Sequence, residues 1–163
     1  MKRTKRDIVL FADDDLAARD LFRLATADAC WRNKILEFED GEDLVEYLKH
    51  SSGELPALIV VDLKMPKMSG FDVLKWVRRR REWDGVPIIV LSCSILESDV
   101  QKAITLGATE YRVKPAMYSE LVHLTIAMRE RWLDHPHPEH WPDRVFEGLS
   151  RLDGRRKNHR HQH

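Results

Sequence analysis

Hydrophobic runs and amphipathic segments alternate five times along this chain. Short apolar runs are typical of buried strands, and longer segments with apolar residues every three or four positions are typical of the helices that cover them. Strands are predicted at residues 8–12, 34–38, 57–61, 87–91 and 110–113. Helices are predicted at residues 15–29, 42–50, 70–82, 96–106 and 118–132. This alternation predicts an α/β domain with a parallel sheet.

The first, third and fourth predicted strands are almost entirely apolar, whereas the second and fifth contain charged residues. Continuous apolar runs are expected for central strands with helices on both faces. The polar strands therefore belong at the edges, which gives a flavodoxin-like, doubly wound five-stranded sheet of order 2-1-3-4-5. Right-handed crossovers place the loops that follow the strands at the carboxyl edge, where such sheets bind ligands.

Acidic residues follow two of the central strands. Asp13 and Asp14 come after the first strand, and Asp62 comes after the third. Neighbouring parallel strands lie about 4.8 Å apart, so these carboxylates should converge at one edge of the sheet. Such carboxylates repel one another and need a cation, and Mg²⁺ accepts oxygen ligands while keeping positions for water and phosphate. Asp15, the next acid, is expected to cap the first helix.

Two further polar groups follow the remaining strands: Ser92 after the fourth and Lys114 after the fifth. Phosphoryl transfer requires mainly positioning and charge neutralisation. Asp62 is placed to act as the nucleophile and to hold an acyl phosphate. Lys114 supplies a cation for one phosphate oxygen, and the Ser92 hydroxyl can donate a hydrogen bond to another.

Four motifs together resemble the receiver domains of two-component response regulators. They are Asp13-Asp14 and the segments 62–70, 87–92 and 107–115, and they occur in the family's order within residues 7–133. By that resemblance, Asp62 is the phosphoacceptor. The resemblance also implies that Asp14, Asp62 and the backbone carbonyl of Lys64 bind Mg²⁺, with Asp13 acting mostly through water.

The resemblance further implies a conformational switch. Ser92 and Tyr111 match the family's hydroxyl and aromatic switch positions, and Lys114 matches its lysine. Phosphorylation adds charge and acceptor oxygens that attract the Ser92 hydroxyl, and Tyr111 can then turn into the vacated space. The resemblance also implies that the peptide bond between Lys114 and Pro115 is cis, which is possible because the second residue is proline.

Two residues depart from or modify the family pattern. Cys93 stands where receivers commonly have alanine or another small residue, so the phosphate pocket is expected to be tighter or oxidisable. Lys64 lies two positions after Asp62, where side chains can shield a phosphoryl group from water. Both residues leave the lifetime of the phosphorylated state open.

Composition limits the classes of function. The chain has 163 residues, with 27 basic and 27 acidic residues and a formal net charge of zero. The whole-molecule field therefore offers little attraction for nucleic acid or an anionic membrane. No apolar stretch approaches a membrane span, and Cys30 and Cys93 are too few for a disulfide framework. A cytoplasmic location is expected.

The chain divides into a basic N-terminal arm at residues 1–6, a receiver domain at 7–133 and a C-terminal extension at 134–163. The extension contains a proline- and histidine-rich linker, a short predicted helix and a basic tail. It is too short for a second domain, so direct DNA binding is not expected, and a role in homodimer formation or partner docking stays open. The arginines at 78–81 are interpreted as cations that complement a helix C-terminus.

These observations favour a single-domain regulator that accepts a phosphoryl group from a sensor histidine kinase, or from a histidine phosphotransfer protein in a phosphorelay. It would signal by binding a downstream protein, without being an enzyme beyond its own phosphorylation and dephosphorylation. Two alternatives stay open. A haloacid-dehalogenase-like phosphatase also uses an aspartyl nucleophile, but Lys64 replaces its usual second acid. A phosphorylation-independent interaction module would not need the acidic cluster.

Overall fold

The computed structural model describes residues 7–51 and 54–134, and five parallel strands form one sheet within them. The strands are β1 Ile8–Ala12, β2 Lys34–Phe38, β3 Leu58–Val61, β4 Ile88–Ser92 and β5 Glu110–Val113. Their order is β2-β1-β3-β4-β5, which confirms the predicted topology. The N-terminal arm lies outside the described residues, and so do the linker after Asp134, the predicted helix and the tail of the C-terminal extension.

Within residues 7–51 and 54–134, five helices connect and follow the strands. They are α1 Leu16–Asp28, α2 Gly41–His50, α3 Gly70–Arg78, α4 Glu97–Thr105 and α5 Tyr118–Met128. A 3-10 turn at Arg81–Trp83 precedes β4, and a π-helical turn at Arg129–Leu133 continues α5. Within the described part of the chain, none of the helices has the length and apolarity that a membrane crossing requires.

The helices cover both faces of the sheet. On one face, α1 and α5 enclose a buried cluster that includes Phe11, Phe22 and Met128, and the two phenyl rings stack with centroids 4.1 Å apart. On the other face, α2, α3 and α4 enclose a larger cluster that includes Leu44 and Leu74. The central strands are almost entirely apolar because both of their faces are buried in this way.

Local capping explains where several helices begin and end. The Asp15 carboxylate accepts a hydrogen bond from the Ala17 amide at 3.0 Å, so the predicted cap of α1 is confirmed. Ser69 and Asp72 form a reciprocal capping box at the start of α3. Gly107 follows α4 with φ of +105°, a conformation that side chains disfavour.

Helix α3 ends at Arg78, four residues earlier than the sequence predicts. Arg80 has extended backbone angles, φ −116° and ψ 114°, which end the helix. The Arg78 guanidinium donates hydrogen bonds to the backbone carbonyls of Gly107 at 2.9 Å and Val86 at 2.8 Å. Arg78 therefore ties the end of α3 to the loops that precede β4 and β5. The predicted interaction of the arginines at 78–81 with the helix dipole stays a prediction.

Gly70 lets the start of α3 pack against the end of β3. A Cβ atom at this position would lie 2.2 Å from the backbone carbonyl oxygen of Asp62, far inside van der Waals contact. Residue 70 must therefore lack a side chain if Asp62 is to keep its place.

We expect Gly70→Ala to lower the free energy of unfolding by about 1–3 kcal/mol, because the new methyl group must displace backbone. Urea unfolding of the variant measures the change. Gln101→Ala, an exposed substitution on α4, is the control and should change stability far less. Equal stabilities of the two variants would contradict this packing argument.

Candidate functional site

The predicted acids meet at the carboxyl edge of the sheet. Ala12 pairs with Val61 in the register of β1 and β3, so Asp13 and Asp62 leave neighbouring strands at the same level. Asp13 is fully buried, the Asp62 residue is 7% exposed, and Asp14 is exposed. Carboxylate oxygens of the three residues lie within 4.8 Å of one another. The structure thus brings together all three of the predicted metal-binding carboxylates.

Lys114 extends its ammonium group into this acid cluster, which consists of Asp13, Asp14 and Asp62. Its Nζ atom lies 2.6 Å from an oxygen of Asp13 and 2.8 Å from an oxygen of Asp62. The backbone amide of Lys114 donates to the Ser92 carbonyl at 2.9 Å, which fixes the lysine at the edge of the sheet. One cation therefore links the ends of β1, β3 and β5.

Burial and charge act in opposite directions on these groups. Burial alone would lower the pKa of Lys114, but hydrogen bonds and charges from Asp13 and Asp62 outweigh it and raise the pKa above its ordinary value. Burial raises the pKa of Asp13, although the Lys114 ammonium and the Asp15 amide oppose the rise. The Lys114 ammonium thus stays charged. The buried Asp13 carboxylate would be stabilised further by additional positive charge.

The two oxygens of Asp62 have different partners. One accepts a hydrogen bond from the Leu63 amide at 2.7 Å, and the other accepts one from Lys114 at 2.8 Å. This pair of contacts fixes the orientation of the carboxylate. A fixed, slightly exposed carboxylate beside a cation is suited to attack an electrophilic phosphorus.

The acid cluster also has the donor set of a site for a hard divalent cation. Three carboxylates supply oxygen ligands, and the exposed Asp14 leaves the cluster open on one side. Mg²⁺ binds through a few carboxylates and keeps several waters, so the residues fit this ion. The participation of the Lys64 backbone carbonyl stays a prediction.

Ser92 and Tyr111 are connected through a residue that the sequence analysis did not identify, Ser94. The buried Ser92 hydroxyl accepts a hydrogen bond from the Ser94 amide at 3.2 Å. The Tyr111 hydroxyl donates to the Ser94 carbonyl at 2.8 Å, and the Ser94 hydroxyl donates to the Asp99 carboxylate in α4. Burial raises the pKa of Tyr111, which keeps its hydroxyl protonated as a donor. Ser94 thus joins both predicted switch residues to α4.

Arg19 is a second residue that the sequence analysis missed. It is 7% exposed, and its guanidinium donates to the backbone carbonyl of Asp13 at 2.6 Å. The helical spacing of the sequence indicates that Arg19 is buried, because it places Arg19 on the same face of α1 as Phe22 and Thr26. A cation on the buried face of a helix needs a polar partner, and here that partner is the backbone of Asp13, a member of the acid cluster.

One expectation about the site is wrong. The described residues contain no cis peptide bond, so the bond between Lys114 and Pro115 is trans. The two isomers of a bond that precedes proline differ by only about 0.5–1 kcal/mol, so local packing can select either. Cys93, the atypical residue beside Ser92, is exposed.

Comparison with known proteins identifies the family. The family described as "Response regulator receiver domain" matches residues 9–126. The KDP operon transcriptional regulatory protein KdpE of Escherichia coli K12 is 35% identical over 122 residues, which cover 74% of this chain and 51% of KdpE. The chain belongs to the response regulator receiver domain family. This membership favours a receiver domain over the phosphatase alternative.

Solved structures agree with this receiver fold. The crystal structure of the phosphorylated cyanobacterial phytochrome response regulator RcpA superposes with a TM-score of 0.73 and 27% identity, and the match covers 80% of this chain and 96% of RcpA. The Mn(2+)-bound form of response regulator Rcp1 gives a TM-score of 0.72 at 23% identity over 81% of this chain and 99% of Rcp1.

We expect Arg19→Met to lower the free energy of unfolding by about 1–3 kcal/mol, because the buried Asp13 carbonyl loses its hydrogen bond from the Arg19 guanidinium. Urea unfolding measures the loss, and Mg²⁺ titration should show weaker binding because the end of β1 is no longer fixed. Arg23→Met removes an exposed arginine from the same helix and should have a much smaller effect. Equal effects of the two substitutions would show that Arg19 does not support the cluster.

Proposed function

We propose that this receiver domain accepts a single phosphoryl group on Asp62. The donor is a phosphohistidine of a sensor histidine kinase or of a histidine phosphotransfer protein. The observation that carries the proposal is the placement of the Asp62 carboxylate, oriented by the Leu63 amide and the Lys114 ammonium within the acid cluster. Family membership supports the same chemistry.

In this reaction, an oxygen of Asp62 attacks the phosphorus as the bond between phosphorus and the donor's imidazole nitrogen breaks. The electron pair of that bond leaves with the imidazole, and an acyl phosphate remains on Asp62. The Lys114 ammonium, which contacts Asp62 directly, pairs with one phosphoryl oxygen. The Ser92 hydroxyl donates a hydrogen bond to another.

A divalent cation completes the site in this proposal. Asp13, Asp14, Asp62 and the backbone carbonyl of Lys64 would hold it, with Asp13 acting mostly through water. Mg²⁺, when bound, supplies positive charge that offsets the charge of the phosphoryl oxygens. The three clustered carboxylates support this assignment, and so does the Mn(2+)-bound form of the structural neighbour Rcp1.

The hydrogen bonds of Ser94 suggest how the modification reaches the surface. In the unmodified domain the Ser92 hydroxyl accepts a hydrogen bond from the Ser94 amide. When Ser92 turns toward the phosphoryl group, this hydrogen bond breaks. Ser94 also holds Tyr111 and Asp99, so the change passes to β5 and α4. The surface formed by α4, β5 and α5 then presents a different arrangement to a downstream protein.

We place this signalling step in the cytoplasm, as part of a two-component system or phosphorelay. The output in this proposal is a phosphorylation-dependent protein interaction, without direct contact to DNA or a membrane. The balanced charge of the chain, 27 basic and 27 acidic residues, supports a protein partner over a polyanion. Catalysis is limited to the domain's own phosphorylation and dephosphorylation.

Incubation with acetyl phosphate and Mg²⁺ should add one phosphoryl group per chain, detected by intact-mass spectrometry. Asp62→Asn should abolish the label. Lys114→Met should lower the labelling rate by on the order of 100-fold, because no ammonium then neutralises the charge on the phosphoryl oxygens. Asp20→Asn, an acid on α1, serves as the matched control and should label normally. Chelation of divalent cations by EDTA should also suppress labelling.

Labelling and two further measurements, of phosphate-ester turnover and of partner binding, separate the alternative functions. Full labelling of Asp62→Asn would remove Asp62 as the acceptor. Continuous release of phosphate from many phosphate esters would instead support a phosphatase. Partner binding that is the same in wild type and in Asp62→Asn would support an interaction module that does not use phosphorylation.

Tyr111→Ala should keep the rate of phosphate uptake but weaken discrimination between the two states by a partner. Spectra of backbone amides, recorded with and without beryllofluoride as a phosphoryl mimic, test the underlying change. In wild type, signals from α4 and β5 should shift, and in Tyr111→Ala these shifts should fall by at least half. Tyr111→Phe is the matched variant that removes only the hydroxyl bond to Ser94. Identical shifts in wild type and both variants would refute the role of Tyr111.

A further inference from the structure

A second concave site lies at the opposite edge of the sheet from the acid cluster. Its volume is about 430 Å³, which is within the range of small-molecule sites. The last turns of α2 and α3 and the 3-10 turn before β4 form its walls. Its apolar lining comes from Leu48, Leu55, Trp76 and Trp83. This aromatic cavity has no part in the phosphoryl chemistry described above.

Two indole rings dominate the aromatic cavity. Trp76 is half-buried on α3, whereas Trp83 is only 4% exposed. The indole N–H of Trp83 has no hydrogen-bond acceptor among residues 7–51 and 54–134. Buried tryptophan N–H groups normally have an acceptor, so this donor is unusual. The nitrogen itself is buried, so the Trp83 indole faces the cavity through its ring carbons.

The charge of the cavity is set mainly by Arg80. Its guanidinium stacks on the Trp76 ring, 3.7 Å from the ring centroid, and donates to the Trp76 backbone carbonyl at 2.8 Å. No ion pair joins it to a carboxylate within the described part of the chain. Lys49, the other cation of the lining, already pairs with Glu46 at 2.9 Å. Among the described residues, Arg80 therefore presents a fixed positive charge that no carboxylate neutralises.

We propose that the aromatic cavity binds a small aromatic carboxylate. Its ring packs against the two indoles, which favour aromatic contacts. Its carboxylate pairs with the Arg80 guanidinium, whose planar donors match the two oxygens. Glu82 also lines the cavity, and its negative charge repels the ligand carboxylate. Removal of this charge should therefore strengthen binding of the ligand.

Titration with naphthoate, followed by two-dimensional NMR of the indole N–H groups, tests the proposal on the full chain. The chain has five tryptophans, and Trp83→Phe assigns the Trp83 signal by its loss. Naphthoate should shift the Trp76 and Trp83 signals with one saturable dissociation constant. Naphthamide, its uncharged isostere, should bind about tenfold more weakly because it lacks the charge that pairs with Arg80.

Paired variants separate a specific site from general adhesion. Arg80→Gln should weaken naphthoate binding about tenfold and leave naphthamide binding nearly unchanged. Arg79→Gln, the exposed neighbour that does not line the cavity, should bind naphthoate as wild type does. Glu82→Gln should bind naphthoate more tightly, and because residue 82 is exposed the substitution should leave the fold intact.

Three results would overturn the proposal. One is the absence of a saturable shift at Trp83, and another is an equal effect of Arg80→Gln and Arg79→Gln. The third is weaker naphthoate binding by Glu82→Gln. The other indole signals of each variant report whether the fold is intact, and the Glu82→Gln result stands even if Arg80→Gln is unfolded.

Discussion

The contact of the Lys114 ammonium with Asp13 and Asp62 is the interaction on which the site depends. Two buried or nearly buried carboxylates at neighbouring strand ends repel each other, and the lysine lies within 2.8 Å of both. The contact requires β1, β3, β4 and β5 to be adjacent in this order and parallel, so that their carboxyl ends meet. The sheet is therefore the means by which residues separated by about a hundred positions become one charged site.

Much of this arrangement follows from the sequence. Strand order follows from which runs are wholly apolar, and the acid cluster follows from where Asp13 and Asp62 stand relative to strand ends. The contacts of Arg19 and Ser94 were not predicted, because they depend on how side chains and a loop fold back toward the sheet. The bond before Pro115 is trans, whereas the family resemblance implies cis, and the small free-energy difference between the isomers permits either.

Helix α3 connects the two ends of the molecule. Its first residue, Gly70, packs against the backbone of Asp62, whereas Trp76 and the nearby Arg80 line the aromatic cavity at the other edge. Arg78 fixes the same helix end to the loops before β4 and β5. The helix is thus held at both termini by specific contacts, and each terminus contributes to a different site.

The most direct test of the central claim is a crystal structure with Mn²⁺ and beryllofluoride, with the ion located by its anomalous scattering. We predict a manganese ion bound by the carboxylates of the acid cluster and beryllofluoride on an oxygen of Asp62. The Lys114 ammonium should then contact a fluorine atom. Beryllofluoride on another residue, or an acid cluster without manganese, would contradict the account.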